Sequence, residues 1–417
     1  MTDASSRRRP RVWVLSELYF PEQTSTGHVV TELAEGLADT HDIHVLCGQP
    51  TYSARGVRAA PKEHRHGVSI TRCSGTTFAK DRLILRVVNM ITLSMSMWFH
   101  AVRAFRAGDV VMVLTTPPLL PFLGAFAAAL RGSACVLIVH DVYPDAAYAA
   151  GLLRRNSLVA RLIEFAHRRL YQFADSICVC GRDMGELILA KLGGYGDPRV
   201  VVIPNWADDV VPADARSNPL LAELNLTDKF VLLHIGNIGR LQAIGALFQA
   251  ACELNASDPT IHFLFVGDGA QKPWLEAASA RHGLSNVSVV GSRPRSDQQV
   301  FLNAGHVMVF GFVPGMYGVG VPSRMYNAMA VGRPLIAIVD EGSEPARVIA
   351  EEQIGWTVPS DRSSEVLAAI REAREGGPRL AEMGKRARQA VERRYLRDHI
   401  VAAYRVLIDA IDASRRP

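Results

Sequence analysis

The stretch from Gly318 to Glu344 has the residue types needed to hold an anion. It reads Gly318-Val319-Gly320-Val321-Pro322-Ser323-Arg324, then small apolar residues to Gly332, then Arg333-Pro334 and an apolar run to Val339. A glycine turn closed by Pro-Ser and followed by a short helix presents free backbone N–H groups and the positive end of the helix dipole. Such a turn suits a phosphate. Arg324, just inside the helix, adds a positive charge. The competing reading is an ordinary strand–helix–strand crossover with a capped helix.

A second set of candidates follows other apolar runs. Gly239-Arg240 opens a strand-to-helix turn, with Asn237 before it and Gln242 after it. A guanidinium in such a turn is placed for a phosphate contact. Gly267-Asp268-Gly269 is by itself a common tight turn. Ser292-Arg293 ends the next run. His140-Asp141 ends a run at 135–139 and continues as Val-Tyr-Pro-Asp145. A lone histidine is usually structural, but one at a carboxyl strand end beside an aspartate is a better candidate for chemistry. No Asp-x-Asp metal motif falls on a strand, and no Cys/His cluster has metal spacing.

These residues need elements to hold them. Apolar runs at 12–15, 43–46, 110–114, 135–139, 176–179 and 200–203 alternate with helical segments, the first entered through Ser25-Thr26-Gly27. The pattern repeats at 230–235, 261–266, 287–290, 307–310 and 335–339. Runs of this kind read as strands buried on both faces of parallel sheets. At 417 residues the chain exceeds what one core usually supports, which implies two domains. The boundary is placed at 207/208, within Pro204-Asn205-Trp206-Ala207-Asp208. Residues 380–413 read as helical and charged.

A hydrophobic content of 48% with 21% charged residues is that of a globular protein, and the net charge of +5 is mildly basic. Part of the excess sits at the ends, in Arg7, Arg8, Arg9, Arg11, Arg415 and Arg416. That is either a weak footprint for an anionic membrane or a pair of solvated tails. The 6 scattered cysteines read as reduced thiols, and the absence of a signal peptide points to the cytoplasm. The uncharged run 110–130 is broken by Pro117, Pro118 and Pro121 into strand, turn and helix. The run 87–102 either lies on a membrane surface or belongs to the core. Peripheral association with the inner face of the membrane is therefore an expectation; nucleic acid is not expected as a partner.

The Pro-Ser-Arg turn with its small-residue helix and Gly332-Arg333-Pro334 resembles the donor loop of glycosyltransferase family 4. The segment from His234 to Gln242, the Phe265-Val-Gly-Asp268-Gly269 turn and the 202–208 junction match that family in order. The resemblance covers most of the chain. It implies the GT-B fold: α/β, two doubly wound Rossmann-like domains facing across a cleft. The N-terminal acceptor-side domain would span 1–207, the nucleotide-sugar domain 208–395, and a crossover helix at 396–417 would return to the first domain. It also implies a nucleotide-sugar donor (UDP- or GDP-sugar), no cofactor and no metal. The acceptor would be a sugar, lipid-linked or small-molecule hydroxyl, and transfer would proceed with retention. The pathway would be that of a cell-surface polysaccharide, a glycolipid or a secondary-metabolite glycoside.

On that resemblance the catalytic candidates are His140, Asp141, Arg240 and Arg324. The donor-binding candidates are Gly27, Asn237, Gly239, Gln242, Gly267, Asp268, Gly269, Arg293, Gly320, Val321, Pro322, Ser323 and Glu344. Two departures stand out. Val319 and Asn327 occupy the places of two glutamates usual in the family, and residues 241–247 lack the usual lysine. Arg324 is expected to supply the missing charge, and Glu344 to meet the nucleoside ribose. A dinucleotide-dependent oxidoreductase is disfavoured, because the first strand is not followed by G-x-G-x-x-G. A phosphorylase is disfavoured because no lysine sits in a buried strand–turn context of the second domain. An epimerase-like GT-B enzyme and a catalytically weak or dead binding protein remain as alternatives.

Overall fold

The computed structural model describes residues 9–51, 56–78, 83–194 and 196–415. Arg7, Arg8 and Arg416 of the basic ends lie outside these. The first sheet contains β1 (Arg11–Leu15), β2 (Asp42–Cys47), β3 (Lys62–Arg65), β4 (Val68–Arg72), β5 (Val110–Leu114), β6 (Ala134–Val139), β7 (Ser176–Val179) and β8 (Val200–Val202). Its order is β3-β4-β2-β1-β5-β6-β7-β8, parallel throughout except for the β3–β4 pair. The second sheet contains β9 (Phe230–Ile235), β10 (Ile261–Val266), β11 (Val287–Val290), β12 (Val307–Gly311), β13 (Leu335–Val339) and β14 (Gly355–Pro359), in the order β11-β10-β9-β12-β13-β14 and wholly parallel.

The two doubly wound sheets expected from the alternating runs are present. Central strands such as β5 and β6 are buried at every position because helices cover both faces. Three strands, β3, β4 and β14, have no counterpart among the apolar runs; β4, Val-Ser-Ile-Thr-Arg, alternates apolar and polar side chains. β3 is Lys-Glu-His-Arg, a polar edge strand, and β14 contains Gly355 and Pro359 at its ends. Edge strands do not need an apolar pattern, because one side has no neighbour to bury.

The helices sort by the side chains they bury. Helices Leu83–Ala104, Leu120–Arg131, Leu158–Phe173 and Arg182–Leu192 share a core with Trp13, Leu15, Val111 and Leu137 on one face of the first sheet. Helix Ser25–Leu37 shares the opposite core with Val12, Val14 and Met112. The charged C-terminal segment is two helices, Pro378–Arg394 and Arg397–Arg415. The first buries Ala387, Ala390 and Val391 in the second domain. The second buries Ile400, Val401, Tyr404 and Ile408 in the first domain.

The chain therefore crosses between domains twice. Trp206 belongs to the first core and Ala207 to the second. Tyr395 is the return point, and its carbonyl accepts the Ala207 N–H at 2.9 Å. In each sheet the strand order reverses once, between β1 and β5 and between β9 and β12. Ligand crevices of such sheets lie beyond the carboxyl ends of the strands at that reversal.

Candidate active site between the two domains

The floor of the second domain is built from two nested turns. Gly236–Arg240 follows β9 and Gly267–Gly269 follows β10. Gly267 has φ +154°, and a Cβ there would lie 1.9 Å from the Gly236 carbonyl oxygen. A Cβ on Gly269 would lie 2.4 Å from the oxygen of Ile238. Only glycine permits this approach. The Ile238 N–H donates to the Asp268 carbonyl at 2.9 Å and ties the turns together.

Side chains of the turns divide into engaged and free. Gln242 is buried, and its Oε1 accepts the Gly239 N–H at 3.0 Å. Gln271 Nε2 donates to the Gly239 carbonyl at 2.7 Å. Gly239 and Gln242 thus satisfy each other, a role different from the anion donors expected of them. Asp268 accepts Lys272 Nζ and the Ser292 N–H, each at 2.8 Å. The Lys272 and Ser292 bonds draw its carboxyl down to about 2. Arg293 pairs with Glu223 at 3.3 Å. Arg240 and Asn237 are exposed, and no described residue forms an ion pair with Arg240.

Arg324 is the unusual group. Its Nη1 lies 3.0 Å from His234 Nε2, while His234 Nδ1 meets the Val309 carbonyl at 3.2 Å. Burial lowers the histidine to about 3, so the ring is neutral and accepts from the guanidinium. Burial also lowers Arg324 to about 10. Among the described residues no carboxylate forms an ion pair with it. Glu341 pairs with Arg362 and Glu344 with Arg182. The helix it opens, Arg324–Ala330, has 7 residues and no side-chain cap at Ser323. The N–H groups of Met325 and Tyr326 bond back to Pro322 and Ser323. The positive potential of this turn thus rests on the guanidinium more than on free amides.

The first domain closes against the same loop. Ser25 Oγ and Ser323 Oγ are 2.9 Å apart, which brings the turn at Gly27 to the loop 318–324. Asp141 and Gly320 form an antiparallel bridge across the cleft, and the Val142 N–H donates to the Val319 carbonyl at 2.9 Å. His140 and Asp141 therefore sit directly opposite Gly320-Val321-Pro322. Burial lowers His140 to about 4 and raises Asp141 to about 6. Val321 packs against the cores of both domains.

Several groups that shape this gap carry no local sequence signal. Arg182 crosses from the first domain. Its backbone N–H and Nε reach Glu344 Oε2 at 2.8 and 2.9 Å, and its Nη1 reaches Glu351 at 2.6 Å. Glu344 is buried, and in this arrangement its carboxylate serves the domain contact instead of facing open space for a ribose. Asp183 accepts the Gly318 N–H at 3.1 Å. Glu186 holds Arg347 at 2.8 Å and also accepts the Tyr317 hydroxyl.

The junction residue Asp208 is a second hub. It accepts His28 Nε2 at 3.0 Å, Arg295 Nη2 at 2.5 Å, Gln298 Nε2 at 2.7 Å and Asn327 Nδ2 at 2.7 Å. Burial pulls its carboxyl up, but the His28 bond and the Arg295 charge hold it well below the usual carboxylate range. Asn327, where the family usually has a glutamate, thus faces a carboxylate supplied by the junction.

A cavity of about 530 Å³ opens beyond the carboxyl ends of β1, β2 and β4, lined by Glu17, Gln49, Thr51, Thr76, Asn89 and Leu93 among others. It lies in the first domain, and all of the residues named belong to that domain. Among the described residues no group of His, Cys, Asp and Glu could hold a metal ion.

Residues 25–206 match the family described as glycosyl transferase 4-like domain, and residues 229–375 match glycosyl transferases group 1. The chain is 31% identical over 319 residues to a probable glycosyltransferase, WbjE, of Pseudomonas aeruginosa, covering 76% of this chain and 78% of that protein. It is 26% identical over 169 residues to the α-D-kanosaminyltransferase of Streptomyces kanamyceticus, covering 38% and 39%. Among solved structures, sucrose-phosphate synthase from Thermosynechococcus elongatus superposes with a TM-score of 0.77 at 17% identity, over 97% of this chain and 100% of that one. Anabaena Alr3699/HepE, in complex with UDP and glucose, superposes with a TM-score of 0.73 at 14% identity, over 96% and 100%. These structural likenesses establish the GT-B fold.

Proposed function

Because the chain belongs to the glycosyltransferases that pair a 4-like first domain with a group 1 second domain, we propose that it moves a sugar from a UDP- or GDP-sugar to a hydroxyl acceptor with retention. The observation that carries the donor reading is Arg324. A half-buried guanidinium with a neutral histidine for a partner lacks its counter-charge, and a diphosphate in the cleft would supply it. The uridine donors of the Anabaena neighbour favour a nucleoside diphosphate sugar of that class.

In this reading the nucleotide lies along the turns at Gly236–Arg240 and Gly267–Gly269. The bond between the anomeric carbon and the phosphate oxygen breaks while the acceptor oxygen bonds to the same face of the carbon. The acceptor proton passes to the departing phosphate oxygen. Arg324 and Arg240 stabilise the charge that gathers on the diphosphate, which is where preset donors accelerate the step. His140 and Asp141 orient and polarise the acceptor, which enters from the cavity beside Asn89 and Leu93. No metal is required, since the arginines take the place of a cation.

Calorimetric titration with UDP, GDP and a panel of their sugars tests this reading. Binding to the wild type, weakened by about 1.5–3 kcal/mol in Arg240→Ala, is expected. Absence of binding to every nucleoside diphosphate overturns it. Turnover should persist in EDTA; loss that only Mn²⁺ or Mg²⁺ restores overturns the metal-free mechanism. The loss of the two usual glutamates, at Val319 and Asn327, favours a binding protein as the second reading. Donor hydrolysis by the purified chain separates the two.

A further inference from the structure

One face of the first domain carries more apolar surface than a water-facing surface needs. Helices Leu83–Ala104, Leu120–Arg131 and Leu158–Phe173 lie side by side over the same core, with the Trp98 and Phe126 rings stacked 6.0 Å apart and Phe122 against His167 at 4.9 Å. Leu83–Ala104 buries Leu93, Met97 and Ala101. Its outer side repeats Ile84, Val87, Ile91, Met95 and Phe99 at helical spacing, with Ile84 76% exposed. Run 87–102 is therefore both core and surface, on opposite sides of one helix.

The stripe continues across its neighbours. Phe126 and Leu130 are exposed on the second helix. On the third, Leu158 is 81% and Leu162 67% exposed, and Phe165 follows one turn later. An apolar face this broad marks an interaction surface.

The charge on these helices is predominantly positive. They carry Arg86, Arg103, Arg131, Arg161, Arg168 and Arg169 against a single carboxylate, Glu164. Glu164 is itself bonded to the Tyr148 hydroxyl at 2.8 Å. Arg103 lies over the Phe99 ring and Arg169 over the Phe165 ring, at 3.2 and 5.0 Å from the ring centroids. Cations stacked on exposed rings keep their heads level with the apolar surface, an arrangement suited to a lipid headgroup layer. A second copy of this chain would bring arginines against arginines. No helix among the described residues is long and apolar enough to cross a membrane.

We propose that this three-helix face docks on the surface of an anionic bilayer, with the leucines and phenylalanines in the headgroup layer and the arginines on lipid phosphates. Leu83–Ala104 also walls the cavity through Asn89 and Leu93. Docking would hold the cavity mouth beside the membrane, where an acceptor carried on a lipid tail is available. Only that last link rests on the transfer reading; the surface itself rests on exposure and charge.

Co-sedimentation of the full chain with vesicles tests the surface. Binding is expected with phosphatidylcholine mixed with phosphatidylglycerol, weak binding with phosphatidylcholine alone, and release by salt. Leu162→Glu with Phe165→Glu should abolish sedimentation while UDP titration and the circular dichroism spectrum stay unchanged. Arg161→Ser and Arg168→Ser should each weaken partition roughly fivefold. Arg371→Glu with Lys385→Glu, a charge change on the second domain, should have little effect. Equal binding to both vesicle types, binding to neither, or undiminished binding by the Leu162/Phe165 variant overturns the proposal. So does a dimer in light scattering that the same variant dissociates.

Discussion

Arg324 Nη1 lies 3.0 Å from His234 Nε2, so a half-buried cation rests on a neutral, buried ring. The contact orients the guanidinium and leaves its charge unanswered.

That relationship makes Arg324→Ala informative. The turnover number should fall about a hundredfold, the size of one lost donor to a charged leaving group, with a smaller change in donor KM. Arg324→Lys should recover part of the loss. Thermal stability should not fall with the catalytic loss, because the substitution removes a half-buried charge that has no carboxylate partner. Normal turnover with a lowered melting temperature would show that the residue is merely structural.

Arg182 and Glu344 form the clearest bond between the domains. Either Arg182→Ala or Glu344→Gln alone should cost about 1–3 kcal/mol in urea unfolding, less than a wholly buried pair because Arg182 is partly solvated. The double variant should be more stable than the sum predicts, because neither group is then left unpaired. Strict additivity of the two losses would mean that the residues do not act on each other.

Restoring the usual family residue at one site should be harmful here. Asn327→Glu places a second carboxylate against Asp208, whose Oδ2 now accepts Asn327 Nδ2 at 2.7 Å. A loss of about 1–3 kcal/mol is expected, with no gain in donor affinity. Improved nucleotide binding in the variant would show that the site still wants its glutamate.

His140 and Asp141 give opposing pH dependences. His140 falls from 6.5 to about 4 on folding, so between those values the unfolded chain holds a proton that the fold does not, and stability rises with pH. Asp141 rises from 3.8 to about 6, so the fold holds the extra proton and stability falls with pH over that window. The two contributions largely cancel in the wild type. Asp141→Asn removes the opposing one, so unfolding free energy relative to wild type should climb between pH 3.8 and about 6, the window of the Asp141 shift. A parallel pair of pH curves would refute the assignment.

Two glycines provide a control on the site floor. Gly267→Ala cannot be accommodated beside the Gly236 carbonyl and should cost more than about 3 kcal/mol, with loss of nucleotide binding. Gly245, in helix Ile244–Ser257, has open space where a methyl group would go, with no atom within 4 Å. Gly245→Ala should therefore be neutral or stabilising by up to about 1 kcal/mol. Melting curves of the two variants check this.

The parallel sheets are legible in the sequence because strands covered on both faces must be apolar along their whole length, as in β5, β6 and β13. β3 is not, because a polar edge strand looks like a loop. At the site, Arg324 can be read from its turn, since a glycine turn and an arginine are local features. His234 cannot be read as its partner, nor Arg182 as the partner of Glu344. Those pairs join residues 90 and 162 positions apart. Gln242 reads as a ligand donor because nothing in the sequence shows that the Gly239 N–H claims its oxygen.

Helix Arg397–Arg415 returns to complete the first domain after the whole second domain has been laid down. During synthesis the first sheet therefore exists for some time with one flank uncovered. The surfaces that later meet Ile400, Val401, Tyr404 and Ile408 stay exposed while about two hundred further residues are added, roughly 10–40 s at ordinary elongation rates. The nascent chain carries an apolar flank that must be kept from other nascent chains, and its first domain can be finished only once helix Arg397–Arg415 has been made.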